Sequence, residues 1–476
     1  MDCSWIWLLS IFVVEVSSRN PEDLYSHMDH FIQVVKWVED QAPKLKPVEV
    51  VKVLRKTAGL EDPFIHRYLD VLDNSDSIVS NATISQYISK VTIHKVTKTG
   101  LEKGVVLTAD GTTVALAPVL LGIEAGLLSV TRSRVHGLYP LALTKNLAVS
   151  FLHHYEKPAT TNLLGTNGCW DSVTSPKIFT LTGEPSRATE ALVNGGMDGV
   201  ILGREVSQPS RHPTSLSSLL KKYYSHWLGS TGLDSAPRLI GRLRRNNFKK
   251  LVGSASLRKQ ITWALATHQK GKKYKMDTEK LQIMVEEGVK TFFHRYMDCP
   301  TIIPRCQWGA EPYRGTPTQL SLPLSFMYIH HTHEPGQPCL TFEECSRDMR
   351  AMQRFHQEVR GWDDIGYSFV AGSDGYIYEG RGWHWQGAHT LGQNAKGYGV
   401  SFIGNYMASL PSRHSQELVR DQLTKCAVSA GRLVPNYIVH GHRQLVTTSC
   451  PGDAFYSEIR TWEHFKVFQC TIWTYS

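Results

Sequence analysis

The sequence predicts an α/β C-terminal domain, a central mixed and mostly parallel sheet flanked by helices, preceded by an α+β N-terminal domain. Three observations carry this expectation. From about residue 299 onward, short β-type apolar runs alternate with helix-length segments, the pattern of layered α/β folds. Earlier in the chain, a helical apolar stripe is followed by a hairpin signal and a run that reads as a buried helix. Between the two lies a strongly basic stretch. The 476 residues suffice for two or three domains. A composition of 41% hydrophobic and 20% charged residues excludes a disordered or fibrous chain.

The elements follow in order. Residues 1–18 read as a secretory signal peptide. Their apolar run of about ten residues is too short for a membrane span, and Val16 and Ser18 give a small-residue cleavage pattern before Arg19. No Lys or Arg precedes that run, which departs from the usual pattern and leaves a buried N-terminal helix as the other reading. No later stretch reaches the roughly 18 apolar residues of a membrane span, so no transmembrane anchor is expected. Leu24, Met28, Phe31, Val35 and Val38 fall on one face of an amphipathic helix. Asp110-Gly111 between β-rich flanks predicts a hairpin, and Leu116 to Leu128 a buried helix. Residues 19–205 form one α+β domain of unknown role in this reading. His153 and His154 are adjacent, so on a strand they point to opposite faces and make no metal pair. Asn81-Ala82-Thr83 is a glycosylation sequon at Asn81.

Residues 206–298 read as a basic linker with short helices. The segment 221–275 carries 14 basic residues against one acid, Asp234. Residues 299–476 balance 15 basic with 15 acidic residues, so the +9 net charge arises entirely before them. Such a segment suits anionic surface polymers or lipid headgroups; a solvated linker is the plainer alternative. Nucleic acid is not an expected partner of a secreted chain.

In the last region, Leu324 to Ile329 predicts a strand running into His330-His331-Thr332, and Phe342 to Val359 a helix. Gly366–Ala371 and Tyr376–Glu379 predict two strands joined through a Ser-Asp-Gly turn. Val400–Ile403 is a further strand, Leu418 to Gly431 a helix with a glycine stop, and Tyr437–His440 the last strand, running into Gly441-His442-Arg443. Sites in such sheets gather at strand ends. His330 and His442 both lie just past a strand, and Cys450 follows eight residues later. Two imidazoles and a thiolate form a ligand set suited to zinc, and a catalytic zinc keeps three protein ligands with one open position. From spacing alone, the histidines serve equally as hydrogen-bonded structural residues and Cys450 as half of a disulfide.

The longer motifs resolve this. Tyr328-Ile-His-His-Thr332, Gly361-Trp-Asp-Asp-Ile-Gly-Tyr-Ser-Phe-Val370, Asp374-Gly-Tyr-Ile-Tyr-Glu-Gly-Arg-Gly-Trp383, Gly387-Ala-His-Thr390 and Gly441-His-Arg-Gln444 with Ser449-Cys-Pro-Gly452 resemble the peptidoglycan recognition proteins. The resemblance covers roughly residues 299–467, in order. It implies a secreted zinc amidase of innate immunity, with His330, His442 and Cys450 on zinc. The bond cut would be the amide joining the lactyl group of N-acetylmuramic acid to L-alanine in bacterial peptidoglycan and muropeptides. Tyr367 and Thr448 then serve the reaction. His389, Thr390, Arg381, Trp383 and Tyr378 lie near the substrate groove, and Lys396 stands where some members place an arginine that meets the diaminopimelate carboxylate. The resemblance also implies disulfides Cys339–Cys345 and Cys299–Cys426. Cys169, Cys306 and Cys470 stay unassigned. Some members bind peptidoglycan without cutting it, so a recognition protein without catalysis is the alternative, as is a directly bactericidal protein. The presence of a cysteine at 450 favours the enzyme.

Overall fold

The computed structural model describes residues 26–57, 105–129, 185–208, 215–225, 239–269 and 277–467. The proposed signal peptide, Asn81, the His153-His154 pair, Cys169 and Cys470 lie outside these residues, as does the side chain of Cys306. None of the described helices is long and apolar enough to cross a membrane.

The N-terminal unit begins with β1 (Ser26–His27), α1 (Met28–Gln41) and α2 (Pro47–Thr57). The stripe expected on the first helix is buried on α1 through Met28, Phe31, Val35 and Val38. The hairpin is β2 (Val105–Leu107) and β3 (Thr113–Ala115), antiparallel, with Val106 opposite Val114. Gly111 sits in its turn at φ +81°, a backbone region glycine adopts without strain. The apolar run after the hairpin forms α3 (Leu116–Ser129), which packs against α4 (Pro185–Val206). That contact is close because Gly122 and Gly126 face Gly199 and Gly203: a Cβ on Gly126 would stand 2.1 Å from the Gly203 carbonyl oxygen.

Within residues 206–298, expected to be a basic linker with short helices, the described parts are helical but packed rather than solvated. Their described parts form α5 (Leu216–Ser225), α6 (Ile240–Leu251), α7 (Ser254–Gln269) and α8 (Thr278–Phe293). The apolar faces of these helices join one core with α1–α4, including Leu220, Ile240, Phe248, Ile261, Val285 and Phe292. The misleading feature is Arg244. It occupies the buried stripe of α6 between Ile240 and Phe248, and it is satisfied by Asp198 of α4 at 2.7 and 2.8 Å. The hydroxyls of Tyr223 and Tyr224 donate to the same carboxylate.

The C-terminal unit holds a six-stranded sheet in the order β4 (Ile302–Ile303), β7 (Ile377–Glu379), β6 (Phe369–Ala371), β8 (Gly397–Phe402), β5 (Leu324–His331), β9 (Leu433–Gly441). Every neighbouring pair is parallel except β6 and β7, which matches the mixed, mostly parallel sheet expected from the sequence. Strand periodicity sorts the side chains to two faces. Met327, Ile329, Phe369, Ala371, Val400, Phe402 and Val439 bury one face against the helical stretch 413–429 and a later helix, Asp453–Ile459. The opposite face is covered over β4, β7 and β6 by α9 (Phe342–Arg354), whose Phe342, Cys345, Met349 and Met352 meet Ile303, Val370 and Tyr378. Thr341 caps this helix, accepting a hydrogen bond from the Glu344 amide at 3.2 Å. Along β5, Tyr328 and His330 alternate with Met327 and Ile329 and so belong to the face that α9 covers only in part. Disulfides join Cys299 to Cys426 and Cys339 to Cys345.

Candidate metal centre

Strand ends build the site. His330 is the penultimate residue of β5, His442 follows β9 directly, and β5 and β9 are neighbours. Their rings lie 4.3 Å apart between centroids. The loop after His442 turns back and places Cys450 Sγ 3.8 Å from His330 Nδ1. One donor atom from each of His330, His442 and Cys450 lies within 4.8 Å of the others. The three residues line a cavity of about 670 Å³ together with Tyr367, Thr448 and His389.

The loop carrying Cys450 is held by Arg443. Its guanidinium donates to the carbonyls of Cys450 and Ser449 and pairs with Asp453 at 2.6 Å, while lying over the Tyr456 ring. The His331 amide donates to Cys450 Sγ at 3.4 Å. His331 is otherwise engaged: its Nδ1 accepts from the Tyr406 amide at 3.1 Å. His440 points its Nδ1 at the Lys466 carbonyl, 2.9 Å away. Neither belongs to the donor cluster, so among the described residues the cluster has three members.

The electrostatics suit a cation. Burial, reinforced by His442, His389 and His331, holds the His330 pKa well below the usual imidazole range. Burial lowers His442 to about 4. Both rings are therefore neutral at pH 7, the form that ligates. Burial pushes the Cys450 thiol up to about 12, against the opposing pull of the His331 amide and Arg443. A buried thiol resists ionisation, and a dication beside it reverses that preference. Nδ1 of His330 faces the sulfur, while its Nε2 stands 3.4 Å from Thr390 Oγ1, which in turn lies 3.0 Å from His389 Nδ1. This arrangement leaves Nδ1 free to ligate and gives the far nitrogen an outer partner. Donor types, number and protonation thus fit a single zinc with an open position.

The remaining expected residues fall at different depths. The Tyr367 ring is 5.3 Å from that of His330. Burial, with the Cys450 sulfur nearby, raises the Tyr367 pKa, so its hydroxyl keeps its proton. Thr448 is exposed on the cavity wall and its Oγ1 accepts from the Cys450 amide at 3.2 Å. His389 lies beneath the site against Gly399, where a Cβ would come within 2.3 Å of its ring. Thr390, Arg381, Trp383 and Tyr378 are buried and do not line the cavity. Arg381 donates to the carbonyls of Ile365 and Gln386, Trp383 packs on Phe369 and Arg432, and the Tyr378 hydroxyl donates to Asp374 at 2.6 Å. Lys396 is exposed just before β8. Phe326 pairs with Gly397 and His330 with Ser401, so Lys396 lies about 13–16 Å along the sheet from His330. Residues not singled out in the sequence also line the cavity: Phe355, His356, Arg360 and Trp362. His356 stacks on Trp362 at 4.7 Å, and its Nδ1 accepts from the Gly366 amide. Trp362 and Arg443 both lie inside motifs already quoted, and membership of those motifs was the available signal.

Fold and site define a class: an α/β domain with a candidate mononuclear metal centre on the floor of a groove at the strand ends. Comparison with known proteins narrows it. A family model described as N-acetylmuramoyl-L-alanine amidase matches residues 320–453. The mouse protein named N-acetylmuramoyl-L-alanine amidase is 42% identical over 436 residues, 79% of this chain and 81% of that protein. The human protein of the same name is 46% identical over 337 residues, 70% of this chain but 58% of that protein, so the chain spans little more than half of it. Peptidoglycan-recognition protein SC2 of Drosophila simulans is 41% identical over 166 residues, 35% of this chain and 88% of that protein. The chain belongs to the peptidoglycan recognition protein family, which includes these amidases.

Proposed function

We propose that this protein is a secreted, zinc-dependent N-acetylmuramoyl-L-alanine amidase of innate immunity that hydrolyses the lactyl–L-alanine amide of bacterial peptidoglycan and muropeptides. The observation that carries the reading is the convergence of His330, His442 and Cys450 within 4.8 Å at the floor of a cavity that Tyr367 and Thr448 also line. The amidase-named relatives support the same reaction.

His330, His442 and Cys450 would hold the zinc. Bound there, zinc supplies Lewis-acid chemistry, polarising a carbonyl and acidifying water to a pKa of about 7. The chain supplies the rest. Hydrolysis forms a bond from a water oxygen to the amide carbon, breaks the C–N bond and returns a proton to the leaving amine. Tyr367, kept protonated, donates a hydrogen bond to the carbonyl oxygen as negative charge develops on it. The Thr448 hydroxyl, with its oxygen already accepting from the Cys450 amide, has its proton free to orient the water or the intermediate. The wall formed by Phe355, Trp362 and Arg360 offers apolar, aromatic and cationic contacts to a glycan-peptide substrate.

The test is product analysis. A disaccharide-tripeptide muropeptide should yield an intact disaccharide bearing a free lactyl carboxylate and a peptide with a free L-alanine amino group. Chelation should abolish this and added zinc restore it. Tight muropeptide binding without these products would make the protein a receptor instead.

A further inference from the structure

A second cluster of metal-type donors lies outside the cavity of the metal centre. His294, Cys299 and Cys426 each bring one donor atom to within 4.8 Å of the others. In the oxidised chain the two sulfurs are spent on each other as the Cys299–Cys426 disulfide. His294 opens the π turn His294–Asp298, which follows α8. The Cys299 amide donates to the His294 carbonyl at 2.9 Å, and this places His294 Nε2 3.4 Å from Cys299 Sγ.

The other ring nitrogen sets the tautomer. Ser429 Oγ donates its single proton to the Lys425 carbonyl at 2.7 Å, so toward His294 Nδ1, 3.4 Å away, it acts as acceptor. The ring proton therefore sits on Nδ1, and Nε2 turns its lone pair to the sulfur. A disulfide sulfur has no proton to offer that lone pair. Burial and then the Arg432 guanidinium lower the His294 pKa, with Lys290 adding to the fall and Asp298 opposing it, so the ring is neutral at pH 7. An outer partner on Nδ1 and a free Nε2 are what a metal-ligating histidine needs. Cys299 is half-buried and lines a cavity of about 280 Å³, which gives a small reductant access to the bond.

We propose that this cluster is a zinc–disulfide switch: a dithiol reductant opens Cys299–Cys426, and the chain then binds zinc through His294, Cys299 and Cys426, separately from the centre at His330, His442 and Cys450. The exchange balances. The dithiol is oxidised to its own disulfide, and its two protons pass to the Cys299 and Cys426 sulfurs. Zinc then displaces both thiol protons to water and takes two thiolates and one imidazole, a donor set it favours. Cys426 belongs to the helical stretch 413–429 of the sheet domain, and His294 follows the last of the N-terminal helices. The metal thus takes over the crosslink that the disulfide supplies.

Cobalt(II) titration of the full-length protein tests this, before and after reduction with dithiothreitol that is then removed anaerobically. The reduced chain should bind about one further cobalt than the oxidised chain, with a stronger thiolate-to-metal absorption. Zinc should displace it. His294→Ala, at a half-buried side chain, should weaken the further metal about tenfold or more. Cys299→Ser with Cys426→Ser should abolish it, and if that double variant does not fold, His294→Ala still decides. Cys339→Ser with Cys345→Ser, which removes the other disulfide, should leave it unchanged. Equal metal in the oxidised and reduced chains, or a further metal bound as tightly by His294→Ala as by wild type, overturns the proposal. So does loss of the further metal in the Cys339→Ser, Cys345→Ser protein.

Discussion

Tyr367 shows how residue-level chemistry and motif membership combine. Nothing in its local spacing marks it, yet the structure puts its ring beside His330 and keeps its hydroxyl protonated. In the proposed mechanism, Tyr367→Phe would remove one donor to the developing oxyanion and leave the proposed zinc ligands intact. We expect kcat to fall by about 10²–10³, equivalent to about 2.7–4 kcal/mol of barrier, with zinc content unchanged. Loss of zinc together with activity would assign the tyrosine to the metal instead. The same scale shows where sequence reading stops. Tyr378, Trp383 and Arg381 are polar or amphipathic residues in a motif-rich stretch, which suggests a groove. Their partners, Asp374, Phe369 and backbone carbonyls, turn them inward, and that depends on the register of β6 and β7. Arg443 was legible only as a motif letter, because its task of pinning the Cys450 loop requires the loop's path.

At the scale of elements, long periodic segments were legible. β5, β8, β9 and α9 fall close to where their alternation or helical stripe predicts. β4, with two residues, and the short helix Arg305–Trp308 were not, since neither is long enough to display a period. The basic segment misled for a different reason. A buried arginine in the stripe of α6 breaks the apolar pattern, and its partner Asp198 lies 46 residues away. This gives a sharp test. Asp198→Ala would leave Arg244 buried without its counter-charge and two tyrosine hydroxyls without their acceptor. Urea unfolding should report a loss of about 3–5 kcal/mol. A loss below 1 kcal/mol would mean that the helices of residues 216–293 do not share the core with α4.

Among the described residues, the β2–β3 hairpin is one place where the N-terminal unit meets the sheet domain. Asp110 accepts from the Tyr376 hydroxyl and the Gly241 amide, and Gln307 donates to Thr113 at 3.2 Å. The hairpin itself was legible from Asp110-Gly111; its docking on residues more than 250 positions later was not. Next to this joint, Asp374 is fully enclosed. Burial raises its pKa from 3.8 to about 7, against hydrogen bonds from Tyr378 and the Tyr376 amide, with the Asp110 charge adding to the rise. Unfolded, the carboxyl loses its proton near pH 4; folded, it keeps it to about pH 7. The folded state therefore binds more protons across that window, and this group's contribution to stability falls as pH rises through it. Asp374→Asn should flatten the decline in stability between about pH 4 and 7, measured by denaturant unfolding at stepped pH. An unchanged slope would mean that the carboxyl is ionised in the fold.

The most direct test of the account replaces one atom. Cys450→Ser keeps the size of the proposed ligand but exchanges its sulfur for oxygen at the cluster formed with His330 and His442. Metal content and muropeptide hydrolysis should be measured side by side on the wild type and this variant. The account predicts about one zinc per wild-type chain and, in the variant, loss of amide hydrolysis with weakened zinc retention while muropeptide binding persists. Unchanged turnover in the Cys450→Ser protein would contradict it.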